Sequence, residues 1–435
     1  MHAVTLRALV VSYAFPPVGG AGVQRMLKLV KYLPEHGVEP AVLTVLSASA
    51  PVSDPTLLAE MPAGVRVLRA RTFEPKYGAK ERAWQAAADT APSLRTRATR
   101  ALVAAGRRLL VPDPQVLWLP AAACTLMNRL RAGTDDVVLI SGPPFSQFML
   151  TLLATGFAKK PVVLDYRDEW TTTSSVYEMA GGSRAGAALE RAVLRRAAVV
   201  TTATAEFRER LLERFDFLDP ARVLAIPNGY DPADFPADLP DPPDDRCVLS
   251  YTGTVFRLTS ARGFLDGVRR FHERDPELAK LLSVRFIGRI VETEAAPFQG
   301  SENFGVSRLG YLDHARALAE LSASHIALCL LDDVQGAERI YPAKIFEIMR
   351  LGRRCLALTP EGALARLVRE HHVGEVVPPR DPAAIAAALD GLVRDFRSGR
   401  LKEWRGPVDV ERFDRRRQAG VFAQALGAAA AHAAR

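Results

Sequence analysis

Cysteine is scarce. Cys124, Cys247, Cys329 and Cys355 are the only four in 435 residues, and they lie far apart. With no CxxC pair and no Cys/His cluster, the sequence argues against a zinc site, and scattered thiols fit a reducing cytoplasm. Cys247, Cys329 and Cys355 each stand in an apolar run and read as small buried hydrophobes. Long apolar runs are missing too: no stretch reaches the roughly 18 residues that a membrane-spanning helix needs. The N-terminal run breaks at Pro16-Pro17 and a glycine loop, so it reads as a first strand and not as a signal peptide. No nucleic-acid-binding motif is present, and the arginines are not interleaved with aromatics, so the net charge of +8 does not point to nucleic acid. Anionic membrane surfaces and phosphorylated small molecules remain as partners for that charge.

What is present fits two domains of about 200 residues each. Hydrophobic residues make up 48% of the chain and charged ones 24%, enough for two buried cores. Short β-branched runs alternate with amphipathic segments. Strands are predicted at Leu6–Tyr13, Ala41–Leu46, Val65–Arg69, Val137–Ser141, Pro161–Asp165, Ala198–Ala203 and Val223–Ile226. The clearest helix is Gly22–Leu33, with Val23, Met26, Leu27, Val30 and Leu33 on one stripe. Asp231–Asp245, rich in proline and aspartate, reads as a linker. The pattern then restarts, with strands at Cys247–Thr252, Val284–Gly288, Ile326–Leu330, Cys355–Leu358 and Glu375–Val377. Helices are predicted around Ser260–Glu273, Asp313–Ser322, Ala343–Leu351, Ala363–Glu370 and Pro382–Arg397, and Arg412–Arg435 closes the chain as an alanine-rich helix. The expectation is an α/β protein of two tandem Rossmann-like domains facing a central cleft: residues 1–235, residues 246–411, and a C-terminal helix, 412–435, returning to the first.

In parallel sheets, ligands sit beyond the carboxyl ends of the strands. The first such exit is Pro16–Arg25 (PPVGGAGVQR), where glycines permit close backbone approach and a helix start offers free N–H groups to an anion. Its spacing is not GxGxxG, and no acidic residue ends the next strand, which argues against a dinucleotide. The second is Ser141–Ser146 (SGPPFS) and the third Asp165–Trp170 (DYRDEW). Acidic residues and an arginine at a strand end either wall a sugar-binding cleft or form an Arg167–Asp staple. The fourth is Ile226–Asp231 (IPNGYD), where Asn-Gly alone is a turn signal. In the second half, Tyr251–Thr254 (YTGT), Arg257, Arg262-Gly263 and Gly288-Arg289 offer cations and helix-start amides to a departing nucleoside diphosphate. Tyr341–Glu347 (YPAKIFE) sets Lys344 and Glu347 three apart on one helix face, either as an intrahelical pair or as a ribose-binding carboxylate.

These segments, with LGRRCLAL (Leu351–Leu358) and GEVVPPRDP (Gly374–Pro382) following, resemble glycosyltransferase family 4, in its bacterial cell-surface and polysaccharide branch. The resemblance implies the GT-B fold, a nucleotide-sugar donor on the second domain, an acceptor on the first, retention of configuration, and no metal or other cofactor. It makes Asp168, Arg262 and Glu347 the catalytic candidates. Gly20, Gly22, Gly253, Arg257, Arg262, Lys344 and Glu347 become donor-side candidates, and Arg25, Ser146, Asp165, Arg167 and Asp168 acceptor-side ones. The implied acceptor is a saccharide, a lipid-linked sugar or a small molecule. Two departures stand out: Arg339, beside Glu338, occupies the place of the family's first paired glutamate, and Phe148 that of a frequent histidine. They leave open a sugar-nucleotide epimerase or hydrolase, or a degenerate nucleotide-sugar-binding protein. His36, His314, His325, His371 and His372 all lie outside the strand-exit motifs, which argues against the epimerase. Ser93–Leu110 mixes arginine with an apolar stripe, as a helix packed on its own domain or as a peripheral contact with the inner face of the membrane.

Overall fold

A computed structural model describes residues 6–49, 53–75, 77–78, 110–172 and 184–433. The candidate membrane helix Ser93–Leu110 lies, except for Leu110, outside the described residues. The chain forms two compact units: Met1–Pro227 with Arg415–Arg435, and Asn228–Asp414.

In the first unit, seven parallel strands lie in the order β3-β2-β1-β4-β5-β6-β7. They are β1 (Leu6–Val11), β2 (Val38–Val45), β3 (Arg66–Ala70), β4 (Val137–Gly142), β5 (Val162–Tyr166), β6 (Val199–Thr202) and β7 (Val223–Ala225). The inner strands are apolar throughout because helices cover both faces. Along β1, Ala8 and Val10 point to one core and Leu9 and Val11 to the other. Helices α1 (Ala21–Tyr32) and the C-terminal helix (Arg415–Ala433) fill the first face with Met26, Leu27, Val30, Phe422 and Leu426. Helices α2 (Leu119–Arg131), α3 (Leu150–Gly156), α4 (Arg184–Leu194) and α5 (Ala205–Arg214) supply the second, with Leu126, Leu150, Val193 and Phe207. Each such side chain contributes about 1.5–3 kcal/mol by leaving water.

In the second unit, six parallel strands lie in the order β10-β9-β8-β11-β12-β13. They are β8 (Cys247–Thr252), β9 (Leu282–Ile287), β10 (Val306–Gly310), β11 (Ile326–Leu330), β12 (Arg354–Leu358) and β13 (Gly374–Val377). Its helices of eight residues or more are α6 (Arg262–Arg274), α7 (His314–Ser322), α8 (Lys344–Leu351), α9 (Ala363–Glu370) and α10 (Pro382–Arg397). The proline-rich stretch Asp231–Asp245 falls within this unit. Strand β10 has no counterpart among the predicted strands. It is an edge strand in which only Val306 is buried, so VSRLG carries no apolar period to read.

Helices α6 and α10 approach closely because two glycines lie between them. A Cβ on Gly267 would stand 2.5 Å from the Ile385 side chain, and one on Gly263 only 2.0 Å from the Pro379 carbonyl oxygen. That second neighbour is backbone and cannot swing aside. Gly263→Val is therefore expected to cost about 3 kcal/mol or more, at the upper end of overpacking penalties. Thermal denaturation checks this, and an unchanged melting temperature would contradict the packing.

Candidate active site

In the first unit, the exits of β1, β4 and β5 are tied together by side chains that reach across the carboxyl edge of the sheet. Gly20 opens α1 with φ 108°, a conformation that favours glycine. Arg25, one turn further on, is buried. Its Nη2 and Nε donate to the two oxygens of Asp165 at 2.8 and 3.1 Å, and its remaining donors reach the carbonyls of Ile226 and Pro227, both at 2.8 Å. Asp165 also accepts from Ser141 and Thr201, each at 2.7 Å. Burial alone would raise the Asp165 carboxyl, but the Arg25 charge and these hydrogen bonds outweigh it and hold the carboxyl below its ordinary range. Arg25 is thus ion-paired with the first aspartate of DYRDEW, a partnership that neither reading of that motif, sugar-binding wall or Arg167–Asp staple, had included. Both side chains are spent on contacts inside the first unit.

Arg167 threads between the loops. It donates to the carbonyls of Gly22, Gly142 and Pro143, so one guanidinium joins the start of α1 to the β4 exit. A Cβ on Gly22 would stand 2.8 Å from this guanidinium. Ser146 is fully buried, and its N–H, with that of Phe145, donates to Asp113 at 2.9 and 2.6 Å. Phe148 is fully buried as well. Its ring centroid lies 4.6 Å from that of Tyr166 and 5.8 Å from that of Phe145, so an apolar side chain completes an aromatic cluster here. Asp168 differs from these neighbours. Among the described residues its half-buried carboxylate makes no hydrogen bond or ion pair, and burial raises its pKa.

Beneath this loop, Glu190 of α4 is fully buried and accepts from the Thr171 hydroxyl. Burial lifts its carboxyl to about 7. A carboxyl whose pKa is raised by folding destabilises the fold as pH climbs from its ordinary value, near 4.3, to the folded one. The cost, fully present above pH 7, is about 4 kcal/mol. Glu190→Gln is therefore expected to raise the melting temperature at pH 8 by several degrees and to leave it nearly unchanged at pH 4.5. Parallel melting curves for both proteins across that range test this, and equal shifts at both pH values would count against it.

In the second unit, the β8 and β9 exits nearly touch. Gly288, at φ 131°, has no room for a side chain, since a Cβ would stand 2.1 Å from the Gly253 carbonyl oxygen. Three arginines surround these exits: Arg257 and Arg262 after β8, and Arg289 after β9. All are exposed, and among the described residues their guanidinium groups have no ion pair or hydrogen bond. Two acids on neighbouring segments are engaged elsewhere: Asp332 with Arg380 at 2.9 and 3.0 Å, and Glu294 with the Ser260 hydroxyl at 2.7 Å.

Glu347 stands in the first turn of α8. Lys344 Nζ lies 2.9 and 3.2 Å from its two oxygens, and His314 Nε2 lies 3.2 Å from Oε1. The other ring nitrogen, Nδ1, is 3.9 Å from Asp234. Burial opposes ionisation of Glu347, yet the Lys344 charge and His314 outweigh it and bring the carboxyl down to about 2. Glu347 is a carboxylate at any working pH. His314 was not among the sequence candidates, because it sits at the start of α7, outside every strand-exit motif. Glu338 folds back on its own turn, accepting from Gly336 N–H at 3.0 Å and pairing with Arg339. The two glutamates thus have different surroundings, and only Glu347 is held by a histidine and a lysine.

Residues 19–229 match the profile of the glycosyl transferase 4-like domain. This segment is a glycosyl transferase 4-like domain. The chain is a glycosyltransferase, and solved structures show its fold to be GT-B. One is HepE of Anabaena, solved with UDP and glucose: TM-score 0.63, 13% identity, covering 97% of this chain and 99% of that one. Another is WaaG, a glycosyltransferase involved in lipopolysaccharide biosynthesis, with TM-score 0.57, 12% identity and 98% of each chain covered. A third is sucrose-phosphate synthase of Thermosynechococcus elongatus, with TM-score 0.58, 15% identity, and 98% and 97% of the two chains covered. Comparison with curated proteins gives no match. Among the described residues, no helix is long and apolar enough to cross a membrane.

Proposed function

We propose that this glycosyltransferase takes a sugar from a UDP-linked donor held on the second unit and delivers it, with retention, to a saccharide, lipid-linked or small-molecule acceptor held on the first. The observation that carries this reading is the set of three uncommitted arginines around the joined β8 and β9 exits. A diphosphate leaving group gains negative charge as the glycosidic bond breaks, and guanidinium groups beside a helix start stabilise that charge without reorganising. Arg262 opens α6, so the helix amides reinforce it. Glu347 accepts hydrogen bonds from the ribose hydroxyls, held in place by His314 and Lys344. Asp168, a carboxyl raised by burial and free of hydrogen bonds, meets the acceptor hydroxyl on the first unit. Uracil is the base proposed, because HepE, of similar fold, was solved with UDP.

Calorimetric titration with UDP, GDP and dTDP tests the reading. UDP is expected to bind most tightly, and Arg262→Ala with Arg289→Ala to weaken UDP far more than uridine. A chain that binds none of the three nucleotides would sink it.

A further inference from the structure

Opposite the carboxyl edge of the first unit's sheet, the loops that enter β4, β5, β6 and β7 bring together an excess of one charge. Lys159 and Lys160 follow α3, Arg195 and Arg196 follow α4, and Arg131 ends α2. Among the described residues none of these five has an ion pair. The acids along the same edge are mostly spent: Asp135 on Arg129 at 2.8 Å, Asp136 on Arg7 at 3.1 Å, and Asp219 on Arg222 at 3.5 Å.

Two of the three arginines, Arg131 and Arg195, lie against rings and not against carboxylates. Arg131 lies 5.7 Å from the Phe157 ring centroid, and Arg195 lies 5.0 Å from that of Phe217. Such stacking fixes the guanidinium plane while leaving its N–H donors open. Phe157 itself is 66% exposed, in the middle of the basic loops. Helix dipoles account for a cation in the last turn of a helix, but Lys159, Lys160, Arg195 and Arg196 stand beyond the helix ends.

We infer that this edge docks on an anionic bilayer. Fixed cations meet lipid phosphates, and the Phe157 ring enters the headgroup region, a combination that favours a lipid surface over a purely polyanionic partner such as RNA. The inference is independent of the donor site, and it lies on residues other than Ser93–Leu110.

The experiment is co-sedimentation of the full chain with phosphatidylglycerol-containing vesicles and with pure phosphatidylcholine vesicles, at low and high salt. Binding to the first, weakening with salt, is expected. A K159E/K160E/R195E/R196E variant is expected to lose more than about a hundredfold in partition, and Phe157→Ser to lose binding while keeping the charge. Both should keep the parent's melting temperature and UDP affinity, which a role confined to helix ends would not predict. Equal binding to both lipids, unchanged binding by both variants, or binding to RNA with none to either vesicle would overturn the inference. Because UDP affinity is read separately, a failure here leaves the proposed donor site untouched, and the reverse also holds.

Discussion

Arg25→Ala is expected to destabilise the first unit by about 3–5 kcal/mol, a loss of some 10 °C or more in melting temperature. The reason is the Asp165 carboxylate. It is fully buried, and without the guanidinium only Ser141 and Thr201 would answer its charge. Burial would then dominate and lift its pKa, so the variant's deficit should shrink as pH falls and the carboxyl protonates. The carbonyls of Ile226 and Pro227 would also lose their donors. Replacing the pair together, as Arg25→Met with Asp165→Leu, is expected to recover much of the loss, because an apolar pair leaves no uncompensated charge. Denaturation of the single and double variants at pH 5 and pH 8 decides the matter. A single variant within 1 kcal/mol of the parent at both pH values would contradict the account of this wall.

The second large effect concerns Glu347. Its removal is expected to weaken UDP binding by about a hundredfold or more, since charge-assisted hydrogen bonds to two ribose hydroxyls are each worth about 1.5–3 kcal/mol. The control is the ligand: 2′,3′-dideoxy-UDP lacks those hydroxyls, so parent and Glu347→Ala should bind it nearly alike. His314→Ala is expected to fall between them, because it leaves the carboxylate in place but frees its orientation. A Glu347→Ala loss of equal size for UDP and its dideoxy analogue would make Glu347 a structural residue, not a ribose ligand.

Much of the fold was legible because it rests on apolar runs. The β4 and β5 strands are buried on every residue, and their sequences read as continuous hydrophobic segments ending in polar exits. Strand β10 was not legible, since an exposed edge needs no hydrophobic face. The candidate site could be named in the sequence as positions, but its pairings could not. Arg25 and Asp165 stand 140 residues apart, and nothing in either motif says that one neutralises the other. His314 escaped notice for a similar reason. A single histidine at a helix start carries no pattern, and only the fold brings α7 beside α8. Phe148 and Arg339 were visible as departures, and the structure supplies their surroundings: a closed aromatic cluster for the first, a locally folded turn with Glu338 for the second.

The central claim is transfer from a nucleotide sugar. It is tested most directly by incubating the purified chain with UDP-glucose, UDP-galactose, GDP-mannose and dTDP-rhamnose. Each is offered with a panel of saccharide and lipid-linked acceptors while nucleotide release and product mass are followed together. The account predicts UDP release matched by an acceptor heavier by one sugar residue, and loss of both in Glu347→Ala. Binding without turnover across the panel, or free sugar released with no acceptor gaining mass, would contradict it.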